Sequence, residues 1–376
     1  MRARKCAGFR FSVLAVAGVL LLSLTGSTMA QSAAVNQLYV SAAQAPTNIA
    51  TVHTYALPPQ GFNPVTASAE DLATYGFPQR PDRQTAAQHY AAWERAMLAA
   101  RNRWNGDLKP VQASSKMRLA AKPATEAAAP ATGPTQVWTY NWSGVAATNK
   151  LKKWNSAASF YDVYSVFSVP TTQPPFGAEC AGGLENTWVG IDGYTAALLD
   201  EGTFPLQGGA YSTTQCSSAD AYYAVFVSWA AGYQTFLTAP GDIMYVEVSN
   251  SLGGFNPGYV FVEDLTTLTY NSYSLDNETG VPLVGNSAEW VVERPNSSTL
   301  PNTISIFFDG GAALALNGKT YYPGSSSAAT SVITMVDDGD TQNIEIVNQG
   351  AGAGYEGEHA LAFQTVGCAY AGGCVP

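Results

Sequence analysis

Trp188-Val189-Gly190-Ile191-Asp192-Gly193 reads as a strand that stops at a turn. In an extended chain successive side chains point to opposite faces, so Trp188, Gly190 and Asp192 share one face while Val189 and Ile191 share the other. The β-branched pair suits a core. The opposite face carries an aromatic and a carboxylate with a gap between them. Runs of the same texture recur on both sides, rich in Val, Tyr, Phe, Trp and Thr and punctuated by Gly, Pro, Asn, Asp and Ser. They predict strands near 138–146, 159–169, 187–191, 222–229, 243–250, 259–263, 267–275, 288–292, 303–308, 331–336, 342–347 and 360–366. So many short strands with almost no helical periodicity mean an all-β domain, a sandwich or a barrel, and no internal repeat argues for a propeller.

Upstream of this domain the texture changes. Residues 1–30 carry Arg2, Arg4, Lys5 and Arg10, an apolar run from Phe11 to Leu24, and small residues ending at Ala30, which is the order of a secretory signal peptide. The run is shorter than the ~20 apolar residues of a membrane anchor, so a secreted, extracellular protein with no membrane attachment after cleavage is expected. Residues 31–134 read as a pro-segment. Its end, Gln112 to Pro134, is an Ala/Ser/Pro/Thr stretch without period, expected to be a cleavable linker outside any core. One helix is expected near Gln84 to Trp104, with Tyr90, Trp93, Met97 and Trp104 along a stripe that needs a partner surface. Residues 135–376 form the third segment.

Charge divides at the same place. The pro-segment has nine Lys or Arg and six Asp or Glu, a net +3, whereas residues 135–376 have five and 22, a net -17. So few cations make a poor nucleic-acid binder. Excess carboxylate suits work in acid, where self-repulsion falls. It also suggests an intramolecular inhibitor: the positive pro-segment, helix included, covers the cleft of the negative domain and leaves when acid protonates the carboxylates. A monomer is expected.

After signal removal four cysteines are left, and an exported chain favours the pairs Cys180–Cys216 and Cys368–Cys374, which close local loops. A zinc site is not expected, because the cysteines lack close C-x-x-C spacing and His359 is the only histidine of the third segment. The same scarcity excludes a serine hydrolase, and G-x-S-x-G, H-E-x-x-H, nucleotide-binding glycine patterns and pepsin-like Asp-Thr-Gly triplets are absent. What is left is carboxylate and amide chemistry. Besides Trp188 to Gly193, two stretches stand out: Pro205-Leu206-Gln207-Gly208-Gly209, an amide beside backbone free of bulk, and Ala288-Glu289-Trp290-Val291-Val292-Glu293, where Glu289 shares a face with Val291 and Glu293. A carboxylate within an apolar strand is costly if buried and unpaired.

Asn141-Trp142-Ser143-Gly144, Val169-Pro170, Trp188 to Gly193, Leu206-Gln207-Gly208-Gly209, Gly241-Asp242 and Ala288 to Glu293, in that order, resemble the glutamic peptidases, also called eqolisins or peptidase family G1. The run Tyr75 to Asp82 also resembles precursors of bacterial members. The resemblance implies a concanavalin-like sandwich of two antiparallel sheets, polypeptide substrates, no cofactor, and a catalytic pair that falls on Gln207 and Glu289. Trp188 and Asp192 would then line or support the same cleft as substrate-binding residues. The implied activity is a secreted acid-acting endopeptidase. Two departures are visible: Phe226-Val227-Ser228-Trp229 stands where relatives usually have W-x-E-W, and an Asp often found after the Gln motif has no counterpart in Gly209-Ala210-Tyr211. The alternative is a non-catalytic β-sandwich binding carbohydrate or a cell-surface ligand through Trp188, Trp229 and Trp290.

Overall fold

The computed structural model describes residue 42, residues 44–111, 116–121 and 134–365, except for 150, 152, 155–156, 175–182, 195–203, 215–220, 251–252, 254–255, 296–298, 305, 328, 340–342 and 352–355. The signal peptide and both proposed cysteine pairs lie outside the described residues. Two antiparallel sheets stack face to face. Across the front sheet the order is Ala231–Leu237, Tyr222–Trp229, Leu206–Thr214, Gly183–Ile191, Ser287–Glu293, Trp142–Thr148 and Thr330–Val336. Across the back sheet it is Thr269–Leu275, Gly258–Asp264, Ile243–Ser249, Phe160–Ser168, Ile306–Ala315 and Glu356–Thr365. The strand Asn343–Ala351 pairs with Thr330–Val336 on one side and Glu356–Thr365 on the other, so the sheets are continuous along that edge.

Period-2 patterning decides what lies between the layers. Val189, Ile191, Val225 and Val227 face inward from the front sheet and meet Phe167, Val246, Val248, Val260 and Val262 of the back sheet in one apolar core. Each such side chain contributes about 1.5–3 kcal/mol when fully buried. The expected sandwich is therefore observed. Two front-sheet strands were not legible in the sequence, Leu206–Thr214 and Ala231–Leu237. Gly208-Gly209 imitates a turn, yet both glycines sit inside a ladder. A Cβ on Gly209 would lie 2.1 Å from the Thr187 carbonyl oxygen, and one on Gly208 would lie 2.6 Å from Val260 Cγ1 of the facing sheet.

The helix forms over Ala87–Ala99, shorter than expected because the chain turns extended and Asn102–Arg103 pairs with Thr269–Tyr270. Asp82 precedes it and accepts backbone N–H bonds from Gln84 and Thr85 at 2.9 and 2.8 Å. Its position corrects one expectation: the helix does not cover the Trp188 face. Trp93 and Met97 pack with Tyr164, Tyr245, Phe261 and Tyr270, on the outer face of the back sheet. That face is aromatic enough to bury the stripe, and the front face is not next to it. Among the described residues no helix is long and apolar enough to cross a membrane.

Candidate active site

Gln207, Gly190 and Glu289 lie in one row across three adjacent front-sheet strands, since Gly190 is the register partner of both. Residues paired in register project to the same face, so the amide and the carboxyl flank a position with no side chain. Strands lie about 4.8 Å apart, so the two flanking Cα atoms are separated by roughly 10 Å, room for both side chains to converge on one water-sized object. Gly190 permits this close approach: a Cβ there would be 2.8 Å from the Leu206 carbonyl oxygen, 3.0 Å from the Trp188 ring and 3.1 Å from Gln207 Cβ.

Both flanking groups are fully buried. Glu289 Oε1 accepts the backbone N–H groups of Gly193 and Tyr194 at 3.0 and 2.8 Å, which fixes its direction. Its Oε2 and both polar atoms of Gln207 have no hydrogen-bond partner among the described residues. Leaving such groups unmet costs about 1–3 kcal/mol each, so this row is held ready for a ligand that supplies partners. Burial pushes the Glu289 carboxyl up to about 8, the neighbouring Ser287 hydroxyl and the two amides oppose this, and the nearby Asp192 charge adds to it.

Trp188 lies on the same face. Its indole N–H donates to Glu293 Oε2 at 2.9 Å, and its ring meets Trp142 edge-on at 4.9 Å. Asp192 is placed differently from the sequence expectation. The strand ends at Ile191 and Asp192 takes φ +68°, which turns its side chain out of the alternation. Its carboxylate instead accepts the N–H groups of Val284, Gly285, Asn286 and Ser287, the turn that leads into the Glu289 strand. Asp192 therefore positions the site and has no side-chain atoms free for substrate contact in this arrangement. Ser228, where relatives usually carry Glu, is the register partner of Gln207 on its other side. The three tryptophans of the alternative reading share no surface: Trp229 and Trp290 belong to the core between the sheets, and Trp188 to the front face.

Sequence reasoning missed a strap. Lys109–Val111 pairs with Gly232–Gln234 at one side of the front sheet. At the other side, Ala120 N–H bonds to the Trp138 carbonyl and Tyr140 N–H to the Arg118 carbonyl. Between these anchors Met117 is buried in the cluster that contains Trp142, Trp188, Phe226 and Val291, contrary to the expectation that this stretch joins no core. The Asn141 amide holds the strap backbone at two points, accepting from Arg118 N–H at 2.7 Å and donating to the Lys116 carbonyl at 2.9 Å.

A family model described as Peptidase A4 family matches residues 140–351. The chain belongs to the Peptidase A4 family. It is thus a glutamic peptidase, and its substrates are polypeptides. Among solved structures, this glutamic peptidase is similar to Scytalido-glutamic peptidase with a peptide based transition state analog, at 18% identity over 60% of this chain and 98% of that one, TM-score 0.45. It is also similar to SCP-B, a member of the eqolisin family in complex with the tripeptide Ala-Ile-His, at 18% identity, 60% and 98% coverage and TM-score 0.44. Aspergilloglutamic peptidase from Aspergillus niger matches at 21% identity over 49% of this chain and 99% of that one, TM-score 0.39. No curated protein matches the chain. Among the described residues one further group offers closely spaced metal-ligand atoms, His89 with Asp162 and Glu247, and it lies on the opposite sheet from the Gln207 row.

Proposed function

We propose that the chain is an exported, acid-acting endopeptidase in which Gln207 and Glu289 act together on a water held between them. The row Gln207–Gly190–Glu289 carries this reading, because it brings an amide and a carboxyl, distant in sequence, to either side of one glycine. In the reaction the Glu289 carboxylate takes a proton from the water as it attacks the peptide carbonyl. The Gln207 amide donates to the developing oxyanion. Protonated Glu289 then gives its proton to the leaving nitrogen. A carboxylate base still works in acid, where an imidazole would be fully protonated.

The strap is the inhibitor in this reading. With Met117 against Trp188 and the row sealed, Glu289 keeps its proton through neutrality and is not a base. Departure of the strap admits water, eases desolvation and returns the carboxyl toward the ordinary range, where it ionises in mild acid. Cleavage within 112–134 after export would make that departure permanent. The electrostatic contrast between the pro-segment and the domain assists at the strap, where Arg118 lies 3.9 Å from Asp338.

The test is to bring purified precursor to about pH 4 and follow its mass and its action on a denatured protein. Glu289→Gln is expected to lower turnover by about 10²–10⁴, as loss of a general base does. Gln207→Ala is expected to lower it by about 10²–10³, as loss of an oxyanion donor does. Full turnover by either variant would overturn the pair.

A further inference from the structure

Residues 44–111 do far more than lead into the strap. Val52–Tyr55 and Asn102–Arg103 pair with Thr269–Leu275, the edge strand of the back sheet, while Lys109–Val111 pairs with Ala231–Leu237, the edge strand of the front sheet. One segment thus closes the open side of both layers. Val52 and Leu108 are buried in the core between the sheets, together with Tyr233, Phe236, Tyr273 and Leu275. Phe77, Trp93 and Met97 seal the aromatic outer face of the back sheet. Arg103 donates to Asn271 Oδ1 at 3.0 Å and to Thr54 Oγ1 at 2.8 Å, tying the segment to itself and to the edge strand. Residues 116–121 of the strap, by contrast, are held by two backbone bonds, the Asn141 amide, the buried Met117 and one exposed ion pair.

We infer that residues 44–111 stay bound to the catalytic domain as a second, non-covalent chain after the strap is cut, a permanent subunit and not a released propeptide. This deepens the proposed function and rests on its reading of strap cleavage. A released segment would uncover two sheet edges and the Tyr164, Tyr245, Tyr259, Phe261 and Tyr270 face in one step, a large unpaired and apolar surface.

Buried polar groups also lie within this contact. The His89 ring stacks on Tyr164 at 3.9 Å and 6°, and its Nε2 lies 3.6 Å from Glu247 Oε2, with Asp162 in the same buried cluster. Tyr245 donates to Glu247, Ala312 and Leu314 come from the neighbouring strand, and Tyr322 and His359 line a cavity of about 270 Å³ beside the His89 ring.

The experiment uses the full precursor with a site-specific protease sequence inserted among residues 122–133, cut in EDTA and examined by native mass and size exclusion at pH 4, 6 and 9. Both fragments are expected in one particle at all three pH values. Separation into two particles at pH 4 overturns the inference. Because the nick is imposed, the result does not depend on self-processing, whereas failure of the untouched precursor to cut itself in acid counts only against the proposed function.

Discussion

Gly190 and Asp192 control the active row without taking part in the reaction. Gly190→Ala would press a methyl against the Leu206 carbonyl oxygen, the Trp188 ring and the Gln207 side chain, displacing the amide from its place. Turnover is expected to fall at least about tenfold, equivalent to about 1.4 kcal/mol, as read from kcat with circular dichroism to verify the fold. Asp192 gathers four backbone N–H groups and adds its charge to the environment of Glu289. Removing that charge in Asp192→Asn lowers the Glu289 carboxyl, so the Glu289-dependent limb of the pH–rate profile is expected to move to lower pH. The variant should also lose roughly 1–3 kcal/mol of stability, because the amide cannot satisfy every donor that the carboxylate did. An unmoved limb would mean that Asp192 acts only on the turn. Gln207 and Glu289 could be singled out in the sequence by their motifs, but Asp192 was misread there. Alternation puts it on the Trp188 face only if the strand continues, and its φ of +68° breaks the alternation one residue earlier.

The strap and the Gln207 strand are the elements where local sequence signals gave way to tertiary contacts. Asn141→Ala removes both bonds to the strap backbone. The uncut precursor is then expected to cleave a short peptide several-fold faster than the parent, measured at a pH where processing is slow. If the Asn141 amide also grips substrate backbone, the cut enzyme should show a higher KM at little changed kcat. Equal KM would confine Asn141 to the strap. The Gln112 to Pro134 stretch has no period because 116–121 is held mostly through backbone bonds, which any side chains permit; Met117 alone is buried in the cluster. The Leu206–Thr214 strand hid behind Gly208-Gly209 for the opposite reason: close approach to Thr187 and Val260 forbids side chains. Gly209→Ala is expected to prevent folding, seen as loss of soluble precursor.

At the scale of the molecule, buried carboxyls set the response to pH. Burial raises Glu289 and Glu247 to about 8, Glu185 to about 7 and Asp192 to about 6, and it raises Glu263 and Glu345 as well. A carboxyl raised on folding stabilises below its unfolded value and loses that contribution as pH climbs through the folded value. The precursor is therefore expected to be most heat-stable near pH 4–5 and to weaken steadily toward pH 8. A loss of about 3 kcal/mol would lower Tm by roughly 6–12 °C, readable by calorimetry across that range. A Tm that rises from pH 5 to 8 would contradict this balance.

Alternation of Val and Ile with polar or small residues determined an all-β domain by itself, because a period of two leaves one face for a core wherever the strand lies; the choice of a sandwich over a barrel came from the family motifs. Composition likewise determined the acidic character of residues 135–376. Which strands are neighbours was left to the tertiary structure, since pairing joins residues far apart in the chain. Only that pairing set Gln207 and Glu289 on either side of Gly190. It also sent the aromatic helix to the back sheet and drew the strap over the front, because the apolar surface matching the Trp93 stripe lies on the far side of the sandwich from Trp188.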